Sequence, residues 1–411
     1  GVSTFRNTMN VGATVTISES GIEASGIGIT CANINGGAIG GRRNLVINGD
    51  MRIAQRATTN NTAGASSTYN TLDRYMVQIQ AGTLTESQQD LSSSDTPYTL
   101  GFRKYMRILN QSGIGAGVAQ YAEIDQRIEA QDVAQSGWNY TSSSSYITLS
   151  FWVRASVAQA YVAVVYTNDG TQRHYPFEIK DSGGSTLSAD TWTKITKTIP
   201  GDSGITVSND NGNGLTLSFI AAYGTNYTSG SGNFDAWNTT GGGTDRWPDM
   251  TTTWATTTNA TFDITGVQLE VGTEATAFEH RSFGEELTLC QRYYETSYPT
   301  GYSAGHNFND VYPFNTSKPI SQNYIASDDT TTAISYPFMV NKRASPTVTI
   351  YSAKDGASGN GFGYKGTGGT ALNIALNVIQ TREQQMMLGT SLGAVNQATE
   401  MYFHYTAESE L

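Results

Sequence analysis

Residues 261–295, TFDITGVQLEVGTEATAFEHRSFGEELTLCQRYYE, change period half-way along. In the first half, Phe262, Ile264, Val267 and Leu269 follow an apolar/polar alternation that slips once, at Thr265 and Gly266, as a strand does at a bulge. In the second half, Phe283, Leu287, Cys290 and Tyr294 are spaced as one face of a short helix. Glu285 and Glu286 open that helix and Arg292 lies near its end, which suits the helix dipole. A closing strand that hands over to a helix, midway between two β-rich segments, marks a domain junction. Residues 1–42, 43–283 and 284–411 are thereby expected to be three separate units.

Upstream of the junction, short apolar runs alternate with turn residues. NLVINGDMRIAQR (44–56) predicts a strand with an Asn-Gly-Asp turn, followed by DRYMVQIQ (73–80), FRKYMRILN (102–110) and QYAEIDQRIEA (120–130). SSYITLSFWVRAS (144–156) predicts a buried strand with Trp152 in the core. AYVAVVYT (160–167), TWTKITKTIP (191–200) and LTLSFIAAY (215–223) complete the set, with no helix of three turns between 43 and 260. Such spacing predicts an antiparallel sandwich of jelly-roll type. Downstream, 331–340, 347–352, 371–380 and 401–405 predict a smaller β-sandwich with Gly-rich loops, notably 355–369, and the terminal FHYTAESEL is expected to be built into the fold.

Residues 1–42 are different. Val15, Ile17, Ile22, Ile27, Ile29 and Ile34 alternate with small or polar residues and frequent glycines, with too few bulky side chains for a core of their own. Pairing with copies of itself is the economical way to order such a segment, which predicts the end of an intertwined β-shaft and a homotrimer. The bland alternative, a flexible linker, does not explain the isoleucines.

The composition excludes several functions. Only 14% of the 411 residues are charged, against ~25% in ordinary soluble proteins, while 10% are aromatic. Hydroxyl and amide groups therefore stand where charges usually do, on β faces. A net charge of −11 disfavours a nucleic-acid partner. No apolar run approaches the length of a membrane span, so no membrane insertion is expected. Cys31 and Cys290 lie far apart, and no Cys/His spacing resembles a zinc site.

Catalysis, metal binding and sugar binding would each rest on particular residues. Glu123, Asp125 and Glu129 share one strand face and could pair as glycosidase carboxylates, but Arg127 between them favours a solvated ladder of charge. The four histidines are scattered and accompany no nucleophile or zinc motif, so no enzyme activity is expected. SNDNGNG (208–214) has hard oxygen donors but one carboxylate, Asp210, and is expected to be a polar hairpin tip; no metal and no cofactor are implied. Sugar sites combine aromatic rings with Asp, Asn, Gln or Arg. Trp237, Trp247 and Trp254 with Asp245 and Arg246 have that composition in an expected loop, although anchoring of the loop by the rings explains them as well.

Five segments, NLVINGDM, QRIEAQDV with YITLSFWVRAS, TWTKITKTIPGD and FDITGVQLEVG, in that order, resemble the jelly-roll sugar-binding modules appended to polysaccharide hydrolases. The run GVQLEVGTEATAFEHRSFGEELTLCQRYYE resembles tail-fibre and related virion proteins of bacteriophages, particularly those of marine cyanobacteria, as do RASPTVTIYS and FHYTAESEL. The resemblance covers roughly 43–411, and it implies an extracellular, homotrimeric virion appendage that meets a host surface glycan or lipopolysaccharide and joins upstream tail proteins. A neck or capsid fibre, or the carbohydrate-binding region of a secreted polysaccharide hydrolase, would carry similar segments. With a stalk at the N-terminal end, the unit after the junction lies outermost. Its loops 298–314 and 355–369 then nominate Tyr302, His306 and Tyr364 as receptor contacts.

Overall fold

The computed structural model describes residues 42–115, 117–228, 233–239, 248–299, 301–307, 332–365, 371–390 and 398–411, and the backbone of 9–10, 15–18, 21–24 and 320–323. The protein is nearly all β. Strands Met9–Asn10, Val15–Ser18 and Gly21–Ala24 pair as a small antiparallel sheet, and the remainder of the segment expected to be a shaft lies outside the described residues.

Two antiparallel sheets then face each other. The first runs Thr193–Pro200, Tyr146–Ala155, Thr261–Val271, Lys104–Asn110, Thr83–Asp90, Thr59–Ala63. The second runs Asn238–Thr239, Arg173–Ile179, Tyr161–Thr167, Asn213–Tyr223, Tyr121–Glu129, Tyr75–Ile79, Ser66–Thr68. Neighbours in space are mostly distant in sequence, as a jelly-roll sandwich requires. Strand Thr261–Val271 lies inside the first sheet, and Phe262, Ile264, Val267 and Leu269 are all fully buried in the core between the sheets. The bulge sits where the alternation slips: the register shifts between Ser150 and Trp152, and Gly266 takes φ +63° opposite it.

Two local expectations need correction. NLVINGDMRIAQR forms no strand. It does lie against Thr261–Val271, with Leu45 N–H on the Leu269 carbonyl at 2.9 Å. The next ladder positions are taken by a side chain: Asn44 Nδ2 donates to Val267 O at 3.1 Å and its Oδ1 accepts from Leu269 N at 3.0 Å. The chain then turns through Asn48, at φ +61°, and Gly49, where a Cβ would lie 2.1 Å from Val267 O. Second, Trp152 is buried but not between the sheets. Alternation puts Phe151 in the core and Trp152 on the outer face, in a satellite cluster with Leu91, Phe102, Tyr105 and Trp192.

The junction helix spans Phe283–Gln291, capped by Ser282, whose Oγ accepts from Glu285 N–H. Its buried residues are Glu286 and Cys290, while Phe283 is half exposed. The expected apolar face is thus turned, because Glu286 is needed inside: it accepts from Asn48 N–H and from Arg281. Beyond it, the long strand Ala398–Glu408 pairs with Tyr294–Thr296, Ile320–Asn323, Thr347–Ser352 and Asn360–Lys365. A second sheet, Thr332–Pro337, Gln385–Thr390, Asn377–Thr381, covers it, closing a small core of Phe338, Ile350, Leu376, Met386, Leu388, Phe403, Tyr405 and Ala407. The expected strand 371–380 is split between the sheets, as Ala371–Ala375 and Asn377–Thr381.

The smaller sandwich is fastened to the larger one by charged groups. Arg292 grips Glu129 with two bonds of 2.7 and 2.8 Å. Arg343 donates to the carbonyls of Asn211, Ser409 and Glu410, and Asn211 Nδ2 returns a bond to Arg343 O at 2.6 Å. The SNDNGNG hairpin tip is therefore a docking element. Glu410 accepts from Arg74 and from Arg56, whose guanidinium planes lie over Tyr293 and Tyr294 at 3.4 and 3.8 Å.

Candidate receptor-binding site

Strand Tyr294–Thr296 delivers the chain into the first candidate loop. Ser297 locks its start: the hydroxyl accepts from Tyr405 N–H at 2.9 Å and bonds His404 Nδ1 at 3.1 Å. Tyr298 stacks on His404, with ring centroids 4.1 Å apart. Burial holds the His404 imidazole down to about 4, so it is neutral at physiological pH. Two turns follow, Tyr302 N–H on Pro299 O and His306 N–H on Ser303 O, both at 3.1 Å. They raise Tyr302 and His306 to the surface with ring centroids 4.7 Å apart.

The second candidate loop meets the first. Hairpin 353–358 follows strand Thr347–Ser352, and Gly356, at φ +73°, lies so close to Gly305 that a Cβ there would be 2.1 Å from the Gly305 carbonyl oxygen. Both positions need glycine, one for conformation and closeness, the other for its own φ of +76°. Exposed Lys354, with its Nζ 5.5 Å from the Phe362 ring, and half-buried Asp355, which accepts from Ala357 N–H, stand on the hairpin whose Gly356 also lies against the His306 carbonyl. This combination offers an aromatic face for sugar C–H groups, a cation, a carboxylate and imidazole nitrogens. Nothing in it resembles a spaced acid pair for glycoside hydrolysis.

The remaining sequence candidates separate. Tyr364 lies on strand Asn360–Lys365, pairing with Ala371 and Glu400, so the stretch 355–369 is not a loop throughout. Trp254 is overturned as a surface contact: it is wholly buried in the main core, its N–H held by Gln159 and its carbonyl by Asn110. Trp237 is half-buried, edge-on to Tyr175, with its indole N–H on Pro200 O at 2.6 Å. Trp237 thus anchors its segment to the sandwich. Trp247, Asp245 and Arg246 lie outside the described residues.

The acid row on Tyr121–Glu129 is not a solvated ladder either. Glu123, Asp125 and Glu129 are all buried. Gln78 Nε2 bridges the first two, 3.1 Å from Glu123 and 2.6 Å from Asp125, and hydroxyls complete the shell, Tyr223 on Glu123 and Ser218 on Asp125. Burial raises the Asp125 carboxyl above its ordinary range, against these bonds. Burial also acts on Glu129, but the Arg292 and Tyr293 hydrogen bonds outweigh it and hold that carboxyl low. The row is a structural network that sequence charge alone did not distinguish from a solvated face.

No protein-family model matches the chain, and no curated protein matches it. Solved structures similar to it include the enzymatically active domain of tailspike protein 4 of bacteriophage CBA120, at 10% identity and a TM-score of 0.25. That likeness covers 56% of this chain and only 21% of the tailspike chain. A putative sugar-binding protein of Bacteroides thetaiotaomicron is 14% identical over 56% of this chain and 99% of its own, with a TM-score of 0.27. The family 11 carbohydrate-binding module of a Clostridium thermocellum cellulosomal cellulase is 11% identical over 54% of this chain and 100% of its own, with a TM-score of 0.25. Likenesses this distant do not bear on function.

Proposed function

We propose that this protein is a tail-fibre-type virion component: homotrimeric, non-enzymatic, and attaching through its C-terminal β unit to a host surface glycan, either polysaccharide or lipopolysaccharide. One observation carries the assignment of the surface. Two loops rich in rings and glycines, far apart in sequence, meet at Gly305 and Gly356 and present Tyr302 and His306 together at the surface. A net-acidic chain approaching an anionic envelope binds by local contacts, so attachment should depend weakly on salt.

The test uses point variants of the full chain, because removing 296–411 would also strip Glu410 from buried Arg74 and Arg56. The Tyr302→Ala/His306→Ala variant is expected to lose at least ~10-fold in adsorption to host cells and in binding to immobilised lipopolysaccharide and capsular polysaccharide, with an unchanged melting temperature. Normal adsorption by this variant would overturn the site. Loss of adsorption in Trp247→Ala instead would move it to the larger sandwich.

A further inference from the structure

We infer that the outer side of the junction helix, exposed Phe283 and half-buried Leu287 together with exposed Met339, is the surface on which copies of this chain meet below the shaft. The inference rests on the homotrimeric reading above and adds a place of contact to it. Phe283 is 51% exposed and Met339 70%. They belong to one patch, since Leu287 is one turn from Phe283 and Gln291, one turn further, reaches Met339 Sδ at 4.0 Å.

What covers the patch is argued from where the shaft segment arrives. The first described side chain after that segment, Arg42, bonds Glu285 of this helix at 2.6 Å, and the next two residues, Arg43 and Asn44, donate their backbone N–H groups to Glu279 at 2.9 and 2.6 Å. Residue 42, the first after the shaft segment, is therefore held at the start of this helix. If three such segments wind together, their points of departure converge, and three helices are drawn to one axis with Phe283 at the convergence. Thr288, exposed on the next turn, and Gly284, with open space around its Cα, let backbones approach there. Charge does not oppose the contact, because Glu285 is already engaged by Arg42. A second copy, supplying the same three apolar side chains, is the occupant that fits a self-complementary patch on a symmetry axis.

The test is site-directed cross-linking in the full chain with Cys31 replaced by Ser, the other cysteine, Cys290, being buried. Phe283→Cys and Met339→Cys are treated with a short bis-maleimide. Leu100→Cys, at another exposed apolar position, is the control. Light scattering fixes the mass of each variant. A mass near three times 44.1 kDa, with Phe283→Cys cross-linking into dimers and trimers at least ~10-fold faster than Leu100→Cys, is the expected result. The same mass with no preference for residue 283 or 339 would overturn the interface and leave the trimer standing. A mass of one chain would overturn both.

Discussion

Replacing Glu410 should destabilise the protein more than any surface ion pair could. Its carboxylate accepts from Arg74 and lies 3.2 Å from Arg56, and both guanidinium groups are almost wholly enclosed. Arg56 has two further carboxylates, Glu408 at 3.5 Å and Asp73 at 3.6 Å, whereas among the described residues Glu410 is the one carboxylate paired with Arg74, which otherwise meets the Arg127 carbonyl and the Tyr293 ring. Burial, which alone would lower the Arg74 pKa, is overcome by Glu410 and its neighbours, so Arg74 stays charged. Glu410→Leu thus leaves a buried cation without its counter-ion, a loss of about 3–5 kcal/mol out of a stability of order 5–15. Arg74→Met strands Glu410 less completely, because Arg56 remains, and should cost about 2–3 kcal/mol. The double variant Arg74→Met/Glu410→Leu replaces the pair by apolar groups, so it should be more stable than Glu410→Leu alone, with a coupling energy of at least ~1.5 kcal/mol. Urea denaturation followed by tryptophan fluorescence and by circular dichroism measures all three, two probes being needed because two β units invite non-coincident transitions. A loss below ~1 kcal/mol for Glu410→Leu, or additive single losses, would show that residues 409–411 are not seated against the larger sandwich.

Gly266→Ala should cost about 2–4 kcal/mol, since the residue takes φ +63° and a Cβ would lie 2.8 Å from Phe102 Cζ; a calorimetric melt within ~2 °C of wild type would refute the bulge. For His404, the folded pKa of about 4 lies below the unfolded 6.5, so its contribution is present above pH 6.5 and is lost as pH falls towards 4, amounting to about 3 kcal/mol. His404→Phe should flatten the pH dependence of the melting temperature across that window, and an unaltered slope would count against the burial. Residues 43–283 expressed alone should melt cooperatively but at a lower temperature than the full chain, because Arg74 and Glu129 lose Glu410 and Arg292; equal melting temperatures would deny the joint its energetic weight. Trp152→Ala should cost about 2–4 kcal/mol while leaving the inter-sheet core intact, and a loss below ~1 would mean its satellite cluster is solvated.

The sequence spoke most clearly where a strand has one apolar face. Phe262, Ile264, Val267 and Leu269, and the slip at Gly266, could be read residue by residue because a bulge displaces the period by one. It spoke least where polar groups are buried. Thr83–Asp90 has little apolar content, and Glu86 inside it is held by Thr62, Asn70 and Thr71, none adjacent in sequence. Arg173–Ile179 carries Pro176, which demotes any run as a strand, yet it pairs with Tyr161–Thr167 along its length. At the candidate site, the rings and glycines were legible in composition. That Gly305 would touch Gly356 was not, since the contact depends on two strands pairing with one distant partner, Ala398–Glu408. Trp254 misled because threonines surround it, while the groups that bury it, Gln159 and Asn110, lie about a hundred residues away or more.

The joint bears on how a weak site could serve attachment. The fastenings that cross between the β units include Arg292 to Glu129, Arg343 to Asn211, and Arg74 and Arg56 to a shared Glu410. Helix Phe283–Gln291 adds a rigid element, and Lys342, buried against Glu295 at 2.6 Å and bonded to Gln291 O, ties its far end to the smaller sandwich. A hinge at the junction would let each receptor loop sample a wide volume and dilute its neighbours. In the homotrimer proposed above, a fixed joint would instead set the separation between sites on three copies, so a repeating glycan of matching spacing would be met at high effective concentration, with a gain of ~10² or more over one site. The same rigidity makes the gain selective, because a glycan of the wrong repeat can engage only one copy at a time. Loosening the joint by Glu410→Leu should therefore leave the affinity of a single site for a short oligosaccharide unchanged while weakening adsorption to whole cells. Equal losses in the two assays would place Glu410 in folding of the loops themselves, and no loss in either would remove rigidity from the account of binding.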